Sequence, residues 1–225
     1  MDLKLIILDW DDCITRGSSE GYYACYGAAV AKAGVQKTPE EVKEKVRELW
    51  GRPHREVIAS IVGPNSPTLD QVCRFYEEYL FTDLFSAKLS LVPGAREKLG
   101  ELKRSYTLAI ATGMDGKLFR EYILPSFDMQ DFFQVIVSSS ELPDPSRGKP
   151  YPDMVLKILE ELSMSNDQAI LVGDARGDVL MARAAGVRPI VVLTGQLTQE
   201  EATELQVSTI PDVSRLDLQA LNLES

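Results

Sequence analysis

Leu5-Ile6-Ile7-Leu8-Asp9-Trp10-Asp11-Asp12-Cys13-Ile14-Thr15 is the stretch on which the reading of this chain turns. Four apolar residues in succession predict a strand buried on both faces, as in the interior of a parallel sheet. The run stops at Asp9, and Asp11 and Asp12 follow at once. Carboxylates at the carboxyl end of a buried strand are costly unless something positive neutralises them. Taken alone, the stretch fits two blander readings, a solvated acidic turn or an Asp that caps the next helix. The rest of the chain decides between them.

Downstream of this strand the pattern becomes helical. Residues 18–33 are rich in Ala and Tyr and run into Gly34, a natural helix stop. Thr38-Pro39-Glu40-Glu41 predicts a capped start for a helix reaching about Trp50. Helices are expected over 53–61 and 68–83, separated by the loop Gly63-Pro64-Asn65-Ser66-Pro67. The pattern changes beyond residue 90. Pro93-Gly94 precedes a helix ending near Arg104, and strands are expected over 106–111, 133–137, 169–172 and 189–193, with a weak one at 207–210. Helices over 115–124, 152–162 and up to Ala185 fall between them, and a short one precedes the last strand. Strands alternating with helices predict an α/β fold with a doubly wound, mostly parallel sheet. The expected division is an α/β core from 1–14 and 90–225, with an all-helical insertion over 15–89.

Composition narrows the function classes. The chain has 225 residues, 44% of them hydrophobic and 26% charged, enough to bury a core. No apolar run approaches the roughly 20 residues that span a bilayer, and the first residues lack a signal-peptide pattern. Cys13, Cys25 and Cys73 form no Cys-x-x-Cys pair, and with the single histidine, His54, they make no zinc set. Free thiols fit a reducing compartment, so a cytoplasmic location is expected. A formal net charge of -10 argues against non-specific nucleic-acid or anionic-membrane binding. An anionic substrate would need a locally positive site, which a divalent cation and a few placed Lys or Arg can supply.

Three expected strands end in polar residues: Asp9, Thr112 and Asp174. Ligands of open α/β sheets bind outside the carboxyl ends of strands, where the strand order reverses. If these strands are neighbours, their terminal side chains meet in one crevice. Asp178 follows Asp174 by four residues, a spacing that aligns the two on one side of a first helical turn. A helix dipole alone would account for Asp178. It does not account for Asp174 in company with Asp9 and Asp11, because grouped carboxylates repel unless a cation sits among them. Hard oxygen ligands favour magnesium. Arg147-Gly148-Lys149-Pro150 brings positive charge in a restricted backbone frame.

Four elements occur in order: Asp9-x-Asp11 after a strand, Thr112 after a strand, Gly148-Lys149-Pro150-x-Pro152-Asp153, and Gly173-Asp174-x-x-x-Asp178. Over nearly its whole length the chain thereby resembles the haloacid dehalogenase-like hydrolases, in the branch of small-molecule phosphatases with a helical cap, phosphoglycolate phosphatases among them. The resemblance implies magnesium-dependent hydrolysis of a small phosphorylated metabolite. By it, Asp9 is the nucleophile that becomes an aspartyl phosphate, and Asp11 is the general acid and then base, its backbone carbonyl also on the metal. Thr112 with Gly113, and Lys149, hold the phosphoryl oxygens. Asp174 is a direct metal ligand and Asp178 stands behind it.

Two residues depart from the family pattern. Asp12 is a variant that tolerates unusual turn dihedrals. Cys13, close to the nucleophile, raises redox sensitivity as a possibility beside simple burial. The cap is expected to read the leaving part of the substrate, with Tyr22, Tyr23, Tyr26, Arg52, His54, Arg55 and Lys88 as candidates. Arg52 and His54 follow Gly51 at a helix start, a place suited to anions. Haloacid dehalogenation is disfavoured by Asp11 and Asp174, which it does not need. A phosphosugar mutase on the same fold stays open, and a non-catalytic phosphate-binding module is disfavoured because every catalytic position is filled. The expected assembly is a monomer or homodimer.

Overall fold

The structure is a computed structural model that describes residues 2–222. The chain divides into two compact units, one made of residues up to Arg16 together with those from Ser90 onward, the other of Gly17–Leu89. The strands of the first unit are β1 (Leu5–Leu8), β2 (Thr15–Arg16), β3 (Ser90–Leu91), β4 (Thr107–Thr112), β5 (Val135–Ser138), β6 (Ala169–Gly173), β7 (Arg188–Val192) and β8 (Ser208–Ile210). Six of them form one parallel sheet in the order β5-β4-β1-β6-β7-β8. β2 and β3 make a separate antiparallel ribbon. That pairing keeps Thr15 and Arg16 with the α/β unit, two residues beyond the boundary expected from the sequence.

The helical unit contains α1 (Ser18–Lys32), α2 (Pro39–Glu48), α3 (His54–Val62), α4 (Leu69–Leu80) and α5 (Asp83–Ser86). α2 opens on a reciprocal cap: Thr38 Oγ1 accepts from Glu41 N–H at 3.2 Å, and Glu41 Oε2 accepts from Thr38 N–H at 2.8 Å. The α/β unit adds α6 (Ala95–Leu102), α7 (Gly116–Leu118), α8 (Leu124–Ser126), α9 (Asp153–Leu162), α10 (Arg176–Ala184) and α11 (Gln199–Glu204).

β1 is the centre of the sheet. Its four residues are fully buried, and it pairs with β4 on one side and β6 on the other. Leu5 and Ile7 belong to a core with Met154 and Ile158 of α9 and with Met181 and Ala182 of α10. Strand alternation sends Ile6 and Leu8 to the opposite face, where they are equally buried. This is why the run carries no polar residue until it leaves the sheet. The direction of the chain's progress through the sheet reverses at β1, with β4 and β5 to one side and β6, β7 and β8 to the other. The carboxyl ends of three adjacent strands, β4, β1 and β6, therefore lie together at the switch point.

Two elements differ from the sequence expectation. The helix predicted over 115–124 is interrupted by a π-helical turn, Phe119–Ile123, between α7 and α8. Pro125 has no N–H to give to Glu121, and the helix widens just before it. The strand predicted over 133–137 begins at Val135, because Phe133 is drawn into the core edge-on to Trp10, 6.5 Å between ring centres. Pro189 lies inside β7 at no cost to the β8 ladder, which begins at Ile190. Truncating the central strand, Ile7→Ala, is expected to cost about 2–5 kcal/mol. Urea unfolding followed by circular dichroism measures this as a lowered midpoint with an unchanged slope.

Candidate functional site

Asp9 is the first residue beyond β1, and its N–H donates to Val172 O at 2.9 Å, extending the β1–β6 ladder by one step. The chain then turns sharply. Trp10 O accepts from the N–H groups of Ile14 and Thr15 at 3.1 and 3.2 Å and from Thr15 Oγ1 at 3.0 Å. The Trp10 ring is fully buried and meets Phe119 and Phe127 edge-on at 5.0 and 5.7 Å. Asp12 sits in the left-handed region at φ 53°, the conformation its side chain tolerates better than most. Asp11, two residues from Asp9, is buried within this turn.

β4 ends in Thr112, fully buried, whose Oγ1 accepts from Met114 N–H at 3.0 Å and so keeps its own O–H to donate. Gly113 follows it and is exposed. β6 ends in Gly173, and Asp174 comes next. α10 then begins, with Asp178 in its first turn. Asp178 Oδ2 accepts from Ala175 N–H at 3.1 Å and closes the start of that helix. Gly173 is demanded by space, since a Cβ there would stand 2.4 Å from Asp178 Cγ.

Lys149 brings these groups into one cluster. Its Nζ is 2.7 Å from Asp9 Oδ1 and 2.7 Å from Asp178 Oδ1. Asp9, Asp174 and Asp178 each offer one oxygen, and the three atoms lie within 4.8 Å of one another. All three side chains are buried, so three carboxylates lie about a single ammonium, largely shielded from bulk water. Burial pushes the Asp9 carboxyl up to about 6 from an ordinary 3.8, with Lys149 pulling it down and Asp178 pushing it up. Burial, then Asp9 and Asp178, push Asp174 well above the carboxylate range. Burial opposes the charge on Lys149, but the fields of Asp178 and Asp9 outweigh it and hold the ammonium protonated. The donor set is all hard oxygen with surplus negative charge, which suits a divalent cation of the magnesium class. Asp178 has one oxygen on Lys149 and the other on the helix start, so it serves the cluster as a support for Lys149.

Cys13 takes the simpler of its two sequence readings, burial. Its thiol is fully buried and donates to Val172 O at 3.6 Å. Burial, with Asp9, Asp174 and Asp178 nearby, pushes it well above its ordinary pKa. A thiol so held is a packing group and not a redox sensor.

Five of the candidates from the insertion are engaged within the helical unit, while Lys88 is exposed. Tyr22 packs against Phe85 and Trp50 at 4.7 and 5.8 Å. Arg52 pairs with Glu56 at 2.9 Å. His54 Nε2 is 2.9 Å from Glu77 Oε1, and its ring stacks on Tyr76 at 5.4 Å. Tyr26 is buried and stacked on Tyr76 at 4.1 Å, a core position. Arg55 pairs with Asp70 at 2.7 Å.

Sequence reasoning missed the loop after β7. Gln196 N–H donates to Asp174 Oδ2 at 2.9 Å, and Leu197 N–H to Asp174 O at 2.9 Å. Gly195 lies so close that a Cβ would fall 1.9 Å from Asp174 Oδ2. Thr194 Oγ1 donates to Asp12 O at 2.6 Å. The signal was available: the Thr-Gly pair that closes β4 as Thr112-Gly113 recurs two residues past the end of β7 as Thr194-Gly195.

Known proteins resemble the chain along its length. CbbY of Rhodobacter capsulatus is 26% identical over 230 residues, covering 98% of each chain. A phosphoglycolate phosphatase of Nitrosococcus oceani is 28% identical over 198 residues, covering 85% of this chain and 84% of the relative. The crystal structure of CbbY from Rhodobacter sphaeroides in complex with phosphate superposes with a TM-score of 0.77 at 23% identity, over 98% of this chain and 100% of the other. The model of the haloacid dehalogenase-like hydrolase family matches residues 6–192. On that match, with a sheet of the same class, the chain belongs to the haloacid dehalogenase-like hydrolases.

Proposed function

We propose that this enzyme, a phosphatase of its family, hydrolyses a small phosphate monoester with magnesium and through an aspartyl phosphate formed on Asp9. One observation carries the reading: the carboxylate at the end of the central strand lies 2.7 Å from a largely buried ammonium and beside two further buried carboxylates. A carboxylate nucleophile splits one difficult displacement into two easier ones. Asp9 bonds to phosphorus while the bond from phosphorus to the leaving oxygen breaks. Asp11 gives that oxygen its proton, then takes one from the water that attacks phosphorus, as the bond from phosphorus to Asp9 breaks and phosphate leaves. The Thr112 hydroxyl, the Gly113 N–H and the Lys149 ammonium donate to the phosphoryl oxygens.

Asp9, the Asp11 backbone carbonyl and Asp174 would hold the ion, with Asp178 steadying Lys149 behind them. When bound, the ion neutralises charge on the phosphoryl oxygens and orients the phosphate. Phosphoglycolate is the first substrate to test, given the name of the Nitrosococcus oceani relative. Arg52, His54 and Tyr22 are the residues to vary for substrate choice, and a substrate reaching Arg52 or His54 has Glu56 or Glu77 to displace. The reading carries with it a cytoplasmic location and a monomer or homodimer. Among the described residues no helix is long and apolar enough to cross a membrane.

Asp9→Asn, nearly isosteric, is expected to abolish magnesium-dependent turnover of p-nitrophenyl phosphate while the circular dichroism spectrum stays that of the parent. Retained turnover would refute the nucleophile assignment.

Removing Lys149 takes away the largest influence that lowers the Asp9 pKa. In Lys149→Met the acidic limb of the kcat/KM profile therefore moves to higher pH, and the rate falls by about 10²–10³. A pH–rate series on both proteins measures both effects.

Folding raises the Asp9 pKa from 3.8 to about 6, so the folded chain keeps a proton that the unfolded chain releases. Stability without the ion therefore falls as pH rises through that window and stays low above it. At pH 7.5 magnesium should raise the Tm measured by calorimetry. Asp174→Asn should melt no lower than the parent in EDTA and should lose the magnesium response.

A further inference from the structure

The loop after β7 touches the site at two places that its sequence role does not require. Leu193 N–H is still tied to the sheet, donating to Ile210 O at 3.1 Å. Three residues on, Gln196 N–H holds Asp174 Oδ2, and Leu197 N–H holds the Asp174 carbonyl, each at 2.9 Å. Gly195 packs directly on the same carboxylate, where no side chain fits. Between these anchors stands Thr194. Its hydroxyl reaches across to the carbonyl of Asp12 at 2.6 Å, 182 residues earlier in the chain. Asp12 is the residue at positive φ, and it immediately follows Asp11. The orientation of the Asp12 peptide therefore bears on where the Asp11 backbone and side chain stand.

We propose that Thr194 is a positioning residue, locking the turn that carries Asp11 to the loop that orients Asp174. The proposal rests on the reading of Asp11 and Asp174 given above. One short loop then sets two groups that come from opposite ends of the chain. Its backbone N–H fixes which oxygen of Asp174 is engaged, and its one hydroxyl fixes the turn after β1. Threonine is well suited to this position, because its methyl restricts χ1 and the hydroxyl is held on its acceptor at a small entropic cost. Without the hydroxyl the Asp12 carbonyl loses this partner, and the turn is free to drift relative to Asp174.

The test compares the parent with Thr194→Val, which keeps the shape and removes the hydroxyl, and Thr194→Ser, which keeps the hydroxyl and removes the methyl. Titration calorimetry with magnesium chloride, in the absence of substrate, reads ion affinity. Kinetics on p-nitrophenyl phosphate reads kcat and KM separately. The expected result for Thr194→Val is about tenfold weaker magnesium binding and a kcat lowered by about tenfold or more, with KM little changed. Thr194→Ser should restore both. Should Thr194→Val fold poorly by circular dichroism, Thr194→Ala is read in its place. A hydroxyl-free variant that binds magnesium and turns over like the parent overturns the proposal. So does equal impairment of the Val and Ser variants, which would assign the effect to packing of the methyl. A parent protein that binds no magnesium removes both this proposal and the cation reading. A parent that binds it beside an unaffected Val variant removes Thr194 alone.

Discussion

Surplus negative charge buried at the end of β1 is the constraint around which the α/β unit is arranged. Asp9, Asp174 and Asp178 share a space from which water is largely excluded, and the Lys149 ammonium faces them. A protein designed for stability would not keep such a group, since a buried charge without a full partner costs several kcal/mol. The cost shows in Asp9, pushed up to about 6, and in Asp174, raised well above its ordinary value. What offsets it is a positive partner, and the ammonium supplies one charge where three are wanted. That imbalance makes the acidic cluster a candidate cation site.

The sheet is what makes such a concentration of charge possible. A parallel sheet brings the carboxyl ends of all its strands to one edge, and the reversal at β1 leaves room there. Asp9 and Asp174 each come where a strand stops, and Asp178 in the helix turn that follows, so none interrupts the apolar core beneath. The neighbours then yield space. Gly173 lets Asp178 lie against the strand end, and Gly195 lets the β7 loop lie against Asp174. Trp10, wedged among Phe119, Phe127 and Phe133, anchors the turn from the opposite side with packing and not charge.

Most of the fold was legible in the residues. Leu5–Leu8 reads as a doubly buried strand because every residue is apolar, and all four are fully buried. The Thr38-Pro39-Glu40-Glu41 start reads as a helix cap because each residue has a local reason to be there, and the reciprocal hydrogen bonds follow. The misses have local causes too. The widening at Phe119–Ile123 needs the N–H missing at Pro125 to be weighed against an otherwise good helical pattern. Phe133 left its expected strand because an aromatic core wanted it. Cys13 was read correctly as a small packing group, but only its burial and the field around it, not its spacing to Asp9, separate that reading from a reactive thiol.

The chain by itself determined the alternation of strands and helices, the acidic strand ends and the lysine in its Gly-Pro frame. These are properties of neighbours in sequence, set by side-chain size, period and backbone freedom. The tertiary structure alone decided that β4, β1 and β6 are adjacent, that Lys149 bridges Asp9 and Asp178, and that the β7 loop returns to hold Asp174 and Asp12. Those contacts join residues up to 182 positions apart. No local preference encodes such distances, because they are fixed by strand order and by the burial of a shared core.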